Sequence, residues 1–250
     1  MKAKTVFFCT ECGNETPKWA GRCPSCGAWN TLVEQAVGDG AKAKTGGRSR
    51  ALRAKAHPIA ALDTAQEIRF PTGMGELDRV LGGGPVKGSL VLISGDPGSG
   101  KSTILLQICE YLGQKLRILY VSGEESARQI KLRAGRLGVS SPNLRILAET
   151  DVQLVVEHIR TEKPDIVMID SIQTMNFTDL NSSPGSVTQV RECTNAIMRC
   201  SKSPDIPAIL VGPVNNARAI PGPTVFQHIV DAAVYFQGHT QMPSPIAHPA

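Results

Sequence analysis

No apolar run in the 250 residues approaches the ~20 needed to span a bilayer. The opening residues, MKAKTVFFCTEC, lack the long apolar stretch and small-residue cleavage site of a secretory signal. These absences argue against a membrane protein and predict a soluble, cytoplasmic protein of a reducing compartment. Acidic charge is scarce at the front. Residues 1–62 hold four Asp/Glu against ten Lys/Arg, whereas the rest of the chain holds 18 against 17. A segment so charged attracts polyanions with a salt-dependent affinity, or serves simply as a solvated tether. Tryptophan is nearly missing: Trp19 and Trp29 are the only two. Cysteine is sparse after residue 26, where only Cys109, Cys193 and Cys200 remain.

What is present begins with the other four cysteines. Cys9-x2-Cys12 and Cys23-x2-Cys26 are two knuckles ten residues apart, each followed by glycine. Two such knuckles can set four thiolates tetrahedrally around one Zn²⁺. Glycine lets the backbone turn tightly behind the sulfurs. Disulfides and a redox pair are the competing readings. The lack of a secretory signal argues against the first, and the tandem spacing against the second. Four thiolates with no vacant position make a structural zinc, whose binding supplies folding free energy that so small a segment cannot obtain by burial. Trp19 and Trp29 are expected to pack the small core around the metal.

Four regions follow from texture: a zinc ribbon over 1–36, a flexible basic linker over 37–62, an α/β domain over 63–238, and a tail over 239–250. The linker is rich in Gly, Ala, Lys and Arg and has no apolar periodicity. The domain alternates apolar runs with amphipathic segments. LVLISG, RILYVSG, LRILAE, DIVMID and PAILVG read as strands. The segments from Lys101, Ser126, Asp151 and Thr188 read as helices. This alternation predicts a mostly parallel sheet flanked by helices.

Gly95-Asp96-Pro97-Gly98-Ser99-Gly100-Lys101-Ser102 matches the phosphate loop G-x4-G-K-[ST], after a strand and opening a helix. Its glycines admit phosphates close to backbone amides, and the helix N-terminus favours their charge. Lys101 is expected to reach the β/γ-phosphates of ATP, Ser102 to hold Mg²⁺, and Thr103 to contact the α-phosphate. Asp170 ends the apolar strand IVMID, where a carboxylate can hold water of the Mg²⁺ shell, or can merely cap the strand. Glu124 and Glu125 follow ILYVSG. One can polarise the attacking water, or both can serve the dipole of the next helix. The division expected is Glu124 as general base and Glu125 as a structural residue.

With these motifs the chain resembles the bacterial RadA (Sms) family of DNA repair proteins, which are RecA-like ATPases. The resemblance runs from residue 6 to about 238. It rests on the cysteine ribbon with PKWAGRCPSCGAWNTLVE, on TGMGELDRVLGGGPVKGSLVLISGDPGSGKST, and on YVSGEES, VMIDSIQT and GSVTQVRECTNAIMR. A ribbon joined to this ATPase type argues against a KaiC-like or DnaB-like relative. The resemblance implies a RecA-like P-loop fold and an ATP hydrolase stimulated by DNA. It implies single-stranded or branched DNA as partner, with processing of branched recombination intermediates. Partnership with the RecA recombinase, a homo-hexameric ring and a base at Glu124 are also implied. The chain departs from the family at Pro213 and Asn216, where a histidine and a lysine are usual. Its end, HTQMPSPIAHPA, replaces the family's further motif and Lon-protease-like domain, and reads as a patternless, aberrant tail on an incomplete sheet. The rival expectation is a degenerate ATP- and zinc-binding module without turnover. The loops that face DNA in RecA-like rings, here 175–187 and 213–224, hold one cation, Arg218.

Overall fold

The computed structural model describes residues 4–9, 15–25, 27–37, 68–180, 182–212, 228–237 and 246–249. They fall into two compact units, one drawn mainly from the first 67 residues and one from Ile68 onward. The linker proposed for 37–62 lies, but for Val37, outside the described residues.

The first unit is a three-stranded antiparallel sheet in the order β2-β1-β3. Its strands are β1 (Lys4–Cys9), β2 (Glu15–Thr16) and β3 (Leu32–Val37). Cys9 lies opposite Leu32 in the β1/β3 register. A tight turn carries the second knuckle. Cys23 N–H donates to Ala28 O at 2.8 Å, Gly27 N–H to Cys23 O at 3.0 Å, and Asn30 N–H to Gly21 O at 2.8 Å. Gly27 sits at φ +76, where a side chain would be strained. Among the described residues here the buried side chains are Cys9, Cys23 and Leu32. One leucine and two sulfurs are too little apolar surface to hold a fold.

The tryptophans do not pack this core. Trp19 is 58% exposed and Trp29 is 70% exposed. The expectation that they would surround the metal is corrected. The described interior is Cys9, Cys23 and Leu32, and both indoles lie outside it beside Gly21.

The second unit is a seven-stranded sheet in the order β10-β9-β4-β8-β7-β5-β6. The strands are β4 (Leu90–Gly95), β5 (Ile118–Ser122), β6 (Leu144–Ala148), β7 (Ile166–Asp170), β8 (Ala208–Gly212), β9 (Ala232–Gln237) and β10 (Ile246–Pro249). All pairings are parallel except β9/β10. A short α1 (Gly75–Val80) precedes the sheet. Then α2 (Lys101–Leu112), α3 (Ala127–Arg136), α4 (Val152–Glu162) and α5 (Val187–Lys202) alternate with strands. Successive residues of a strand face opposite sides. Val91, Ile93, Ile118, Tyr120, Ile166 and Met168 therefore join one core with Leu105 and Ile108 of α2 and Ile130 of α3. Leu90, Leu92, Leu119, Val121, Val167 and Ile169 join the other with Val155 of α4 and Ile197 of α5. A sheet buried on both faces explains why its strands read as continuous apolar runs.

Helix starts are capped from the sequence. Ser126 and Gln129 form a capping box on α3, and the side chains of Asp151 and Ser186 accept from Gln153 N–H and Gln189 N–H.

The tail departs from expectation. Ile246–Pro249 pairs antiparallel with β9, from Ile246 opposite Gln237 to Pro249 opposite Val234. The described sheet thus has an edge strand drawn from residues read as patternless. Strand pairing uses main-chain groups, so an edge strand needs no side-chain periodicity, and a proline is tolerated there.

Candidate active site

The carboxyl ends of the parallel strands gather the chemistry. β4 ends at Gly95 and the chain turns through the phosphate loop into α2. Gly95 is glycine because of crowding. A Cβ there would stand 2.4 Å from the carbonyl oxygen of Phe236 on the neighbouring β9. Gly98 and Gly100 are glycine for another reason: their φ values are +78 and +91, with open space around them. Gly100 caps α2 in the left-handed conformation. The first turn of α2 carries no acidic residue. Its unpaired amides and positive dipole end are left for an anion.

Lys101 folds back over this loop. Its Nζ donates to Gly95 O at 2.6 Å, to Asp96 O at 2.7 Å, and to Ser99 Oγ at 3.5 Å. Burial lowers the ammonium's pKa from its ordinary value, opposed by the charges of Asp170, Asp96 and Glu124. Ser102 and Thr103 follow on the first turn of α2, both half-buried.

Asp170, the last residue of β7, lies beside Ser122 of β5. It is buried, and Tyr120 Oη donates to its Oδ2 at 2.7 Å. Burial first, then the Asp170 charge, raises the tyrosine's pKa far above its usual range, so it stays a neutral donor.

The two glutamates after β5 part company. Glu124 Oε1 accepts from Ser171 Oγ at 2.9 Å. Glu125 forms an ion pair with Arg133 of α3, and its N–H donates to Ser122 Oγ at 3.1 Å. Gly123 before them admits no Cβ, which would stand 2.2 Å from Thr174 Oγ1. A cleft of about 280 Å³ runs from Ser122 through Ser126 to Ala148, Glu149 and Thr150.

Four residues here were not singled out by sequence reasoning. Tyr120 and Ser171 hold the two predicted acids. Glu149 adds a third carboxylate along the cleft, bound to the amides of Thr150 (2.7 Å) and Asp151 (2.9 Å). Burial first, then the charge of Asp96 in the loop, raises the pKa of Tyr235 on β9. The signal for Glu149 was its place at a strand's carboxyl end. The others are made by pairing between strands distant in sequence.

In the first unit Cys9 and Cys23 are both buried, and Cys9 Sγ lies 3.1 Å from Thr31 Oγ1. Cys12 and Cys26 lie outside the described residues, as do Pro213, Asn216 and Arg218. Buried sulfurs at the end of a strand and on a knuckle turn fit a thiolate zinc donor set in a unit with almost no apolar core. No helix among the described residues is long and apolar enough to cross a membrane.

Fold and site together define a RecA-like P-loop core accompanied by a zinc ribbon. The rubredoxin metal-binding domain model matches residues 7–34, and the KaiC ATPase model matches residues 70–148. The chain is similar along most of its length to bacterial RadA. It is 48% identical over 240 residues to "DNA repair protein RadA" of Bacillus subtilis, covering 95% of this chain and 52% of the relative. The same-named protein of Halalkalibacterium halodurans is 49% identical over 239 residues, covering 95% and 52%. That of Pseudomonas aeruginosa is 45% identical over 239, covering 96% and 53%. The chain spans about half the length of these relatives.

Proposed function

We propose that this chain is a RadA-type DNA repair ATPase, hydrolysing ATP to ADP and phosphate under stimulation by DNA. The observation that carries the reading is the phosphate loop itself, where Lys101 Nζ lies on Gly95 O and Asp96 O beside a helix N-terminus whose first turn holds no acidic residue. The loop amides and α2 bind the phosphates of ATP. Lys101 exchanges its bonds to Gly95 O and Asp96 O for the β/γ-phosphate oxygens. Glu124, oriented by Ser171, takes a proton from water as the water oxygen bonds to the γ-phosphorus. The bond from that phosphorus to the β-phosphate oxygen breaks, and ADP carries away the electron pair. Glu125, held by Arg133, shapes the cleft. Ser102 and Asp170 would hold Mg²⁺, with Tyr120 fixing the aspartate. When bound, that ion neutralises charge on the phosphates. Asp96, Pro97, Ser99 and Thr103 complete the nucleotide contacts. Cys9, Cys12, Cys23 and Cys26 would hold the zinc of the ribbon.

The resemblance extends the reading to single-stranded or branched DNA, processing of branched recombination intermediates, the RecA recombinase as partner and a hexameric ring. The test is ATP turnover with and without single-stranded DNA. Lys101→Ala should abolish ATP binding, whereas Glu124→Gln should bind ATP and fail to hydrolyse it. Normal hydrolysis by Glu124→Gln would move the base to Glu125 or Glu149.

A further inference from the structure

We propose that Trp19 and Trp29, with Arg22 and Lys18, form a stacking platform on the ribbon for the bases of single-stranded nucleic acid. The chain's two tryptophans are both largely exposed, Trp29 at 70% and Trp19 at 58%. They are neighbours. Trp29 Cζ3 and Trp19 Cη2 lie 3.8 Å and 3.9 Å from the point where a Cβ on Gly21 would stand. Glycine keeps the floor between the rings bare. The Trp29 ring is also held. Arg22 and Trp29 face each other across a β-bridge in the knuckle turn. Arg22 Nε donates to Gly27 O at 2.8 Å, and its guanidinium lies 5.9 Å from the Trp29 ring centroid. This is a preorganised cation–π pair.

Charge selects the occupant. Lys18 and Arg22 are the only charged residues between Thr16 and Thr31, and both are exposed. The first 62 residues carry ten cationic against four acidic residues and stay net positive even with a doubly negative zinc tetrathiolate. Aromatic faces beside cations, with no acid among them, suit phosphates and unpaired bases. Duplex DNA hides its base faces and offers them nothing to stack on. The inference rests on DNA being the polymer of the proposed ATPase, but it concerns a separate surface.

The test uses the full chain without nucleotide. With only two tryptophans, intrinsic indole emission reports this platform alone. Titration with oligo(dT) should quench that emission saturably, and a duplex of equal length should not. Fluorescence anisotropy of labelled oligo(dT) measures affinity. Trp29→Ala should weaken it about tenfold, Trp29→Phe should restore most of the loss, and neither should change the salt slope. Arg22→Gln should lower the magnitude of the slope by about 0.7. Unchanged zinc content shows that the variants keep the ribbon. Oligo(dT) that binds without altering emission, with Trp19→Ala and Trp29→Ala equal to wild type, overturns the proposal. Absence of any binding overturns it as well. ATP turnover, tested separately by Lys101→Ala, stands or falls independently.

Discussion

Ser171 Oγ lies 2.9 Å from Glu124 Oε1 and donates a hydrogen bond to it. The serine follows β7 and the glutamate follows β5, so the pairing of these strands sets the carboxylate's direction. A hydrogen bond to a charged group contributes about 1.5–3 kcal/mol. Ser171→Ala should therefore lower kcat roughly tenfold or more while leaving the KM for ATP nearly unchanged. Steady-state kinetics decide it. A rise in KM alone would make Ser171 part of the binding surface rather than a positioning residue.

Tyr120 does the same for Asp170 from inside the sheet. Tyr120→Phe keeps the packing of a fully buried ring and deletes the donor to a buried carboxylate. Leaving that group short of a partner costs about 1–3 kcal/mol. Urea unfolding should show the loss as a lower midpoint with an unchanged slope. A midpoint equal to wild type would mean that water replaces the hydroxyl.

The glycines, lysine and strand-end aspartate of the site were legible because they are local: G-x4-G-K-S and IVMID announce themselves within a few residues. The roles of Tyr120 and Ser171 were not, since each meets its carboxylate about 50 residues away through parallel pairing. Glu124 and Glu125 are adjacent and chemically identical, so only Arg133 and Ser171 tell them apart. The helix–strand alternation gave the sheet's parallel class but not its order. The tryptophans misled because large aromatics usually lie inside, whereas the described interior of the ribbon is two cysteines and a leucine.

Acid should weaken the edge of the core through Arg117 and Asp165. Their side chains meet at 3.1 Å and the Arg117 N–H donates to Asp165 at 2.8 Å. The side-chain hydrogen bond to Arg117 leads in holding the Asp165 pKa below its ordinary value, against a smaller opposing effect of burial. A depressed carboxyl stabilises the fold fully above its unfolded pKa of about 3.9 and loses that contribution as pH falls through the folded value. Asp165→Asn should be less stable than wild type at pH 7, and the gap should close below about pH 4. A gap independent of pH would assign the effect to packing.

Removing the metal should unfold only the first unit. Cys23→Ser, or a strong chelator, takes away a donor from a unit whose described interior is two cysteines and a leucine. Elemental analysis should fall from one zinc per chain to none. ATP binding by the second unit should persist, because its two cores use none of the ribbon's residues. Loss of ATP binding together with zinc would show the two units to be one folding system.

DNA affinity should depend on the N-terminal segment more than on the loops of the ATPase. Lys42, Lys44, Arg48, Arg50, Arg53 and Lys55 crowd the linker, against the single Arg218 in the loops 175–187 and 213–224. Each neutralised phosphate adds about −0.9 to the log–log salt slope on duplex DNA and about −0.7 on single strands. Deleting residues 1–62 should flatten the slope by several such steps and weaken binding at low salt. The basal ATP turnover should survive, since every proposed nucleotide contact lies beyond residue 94. Anisotropy titrations over a salt series measure both quantities. A slope and affinity unchanged by the deletion would place the phosphate contacts on the ATPase unit.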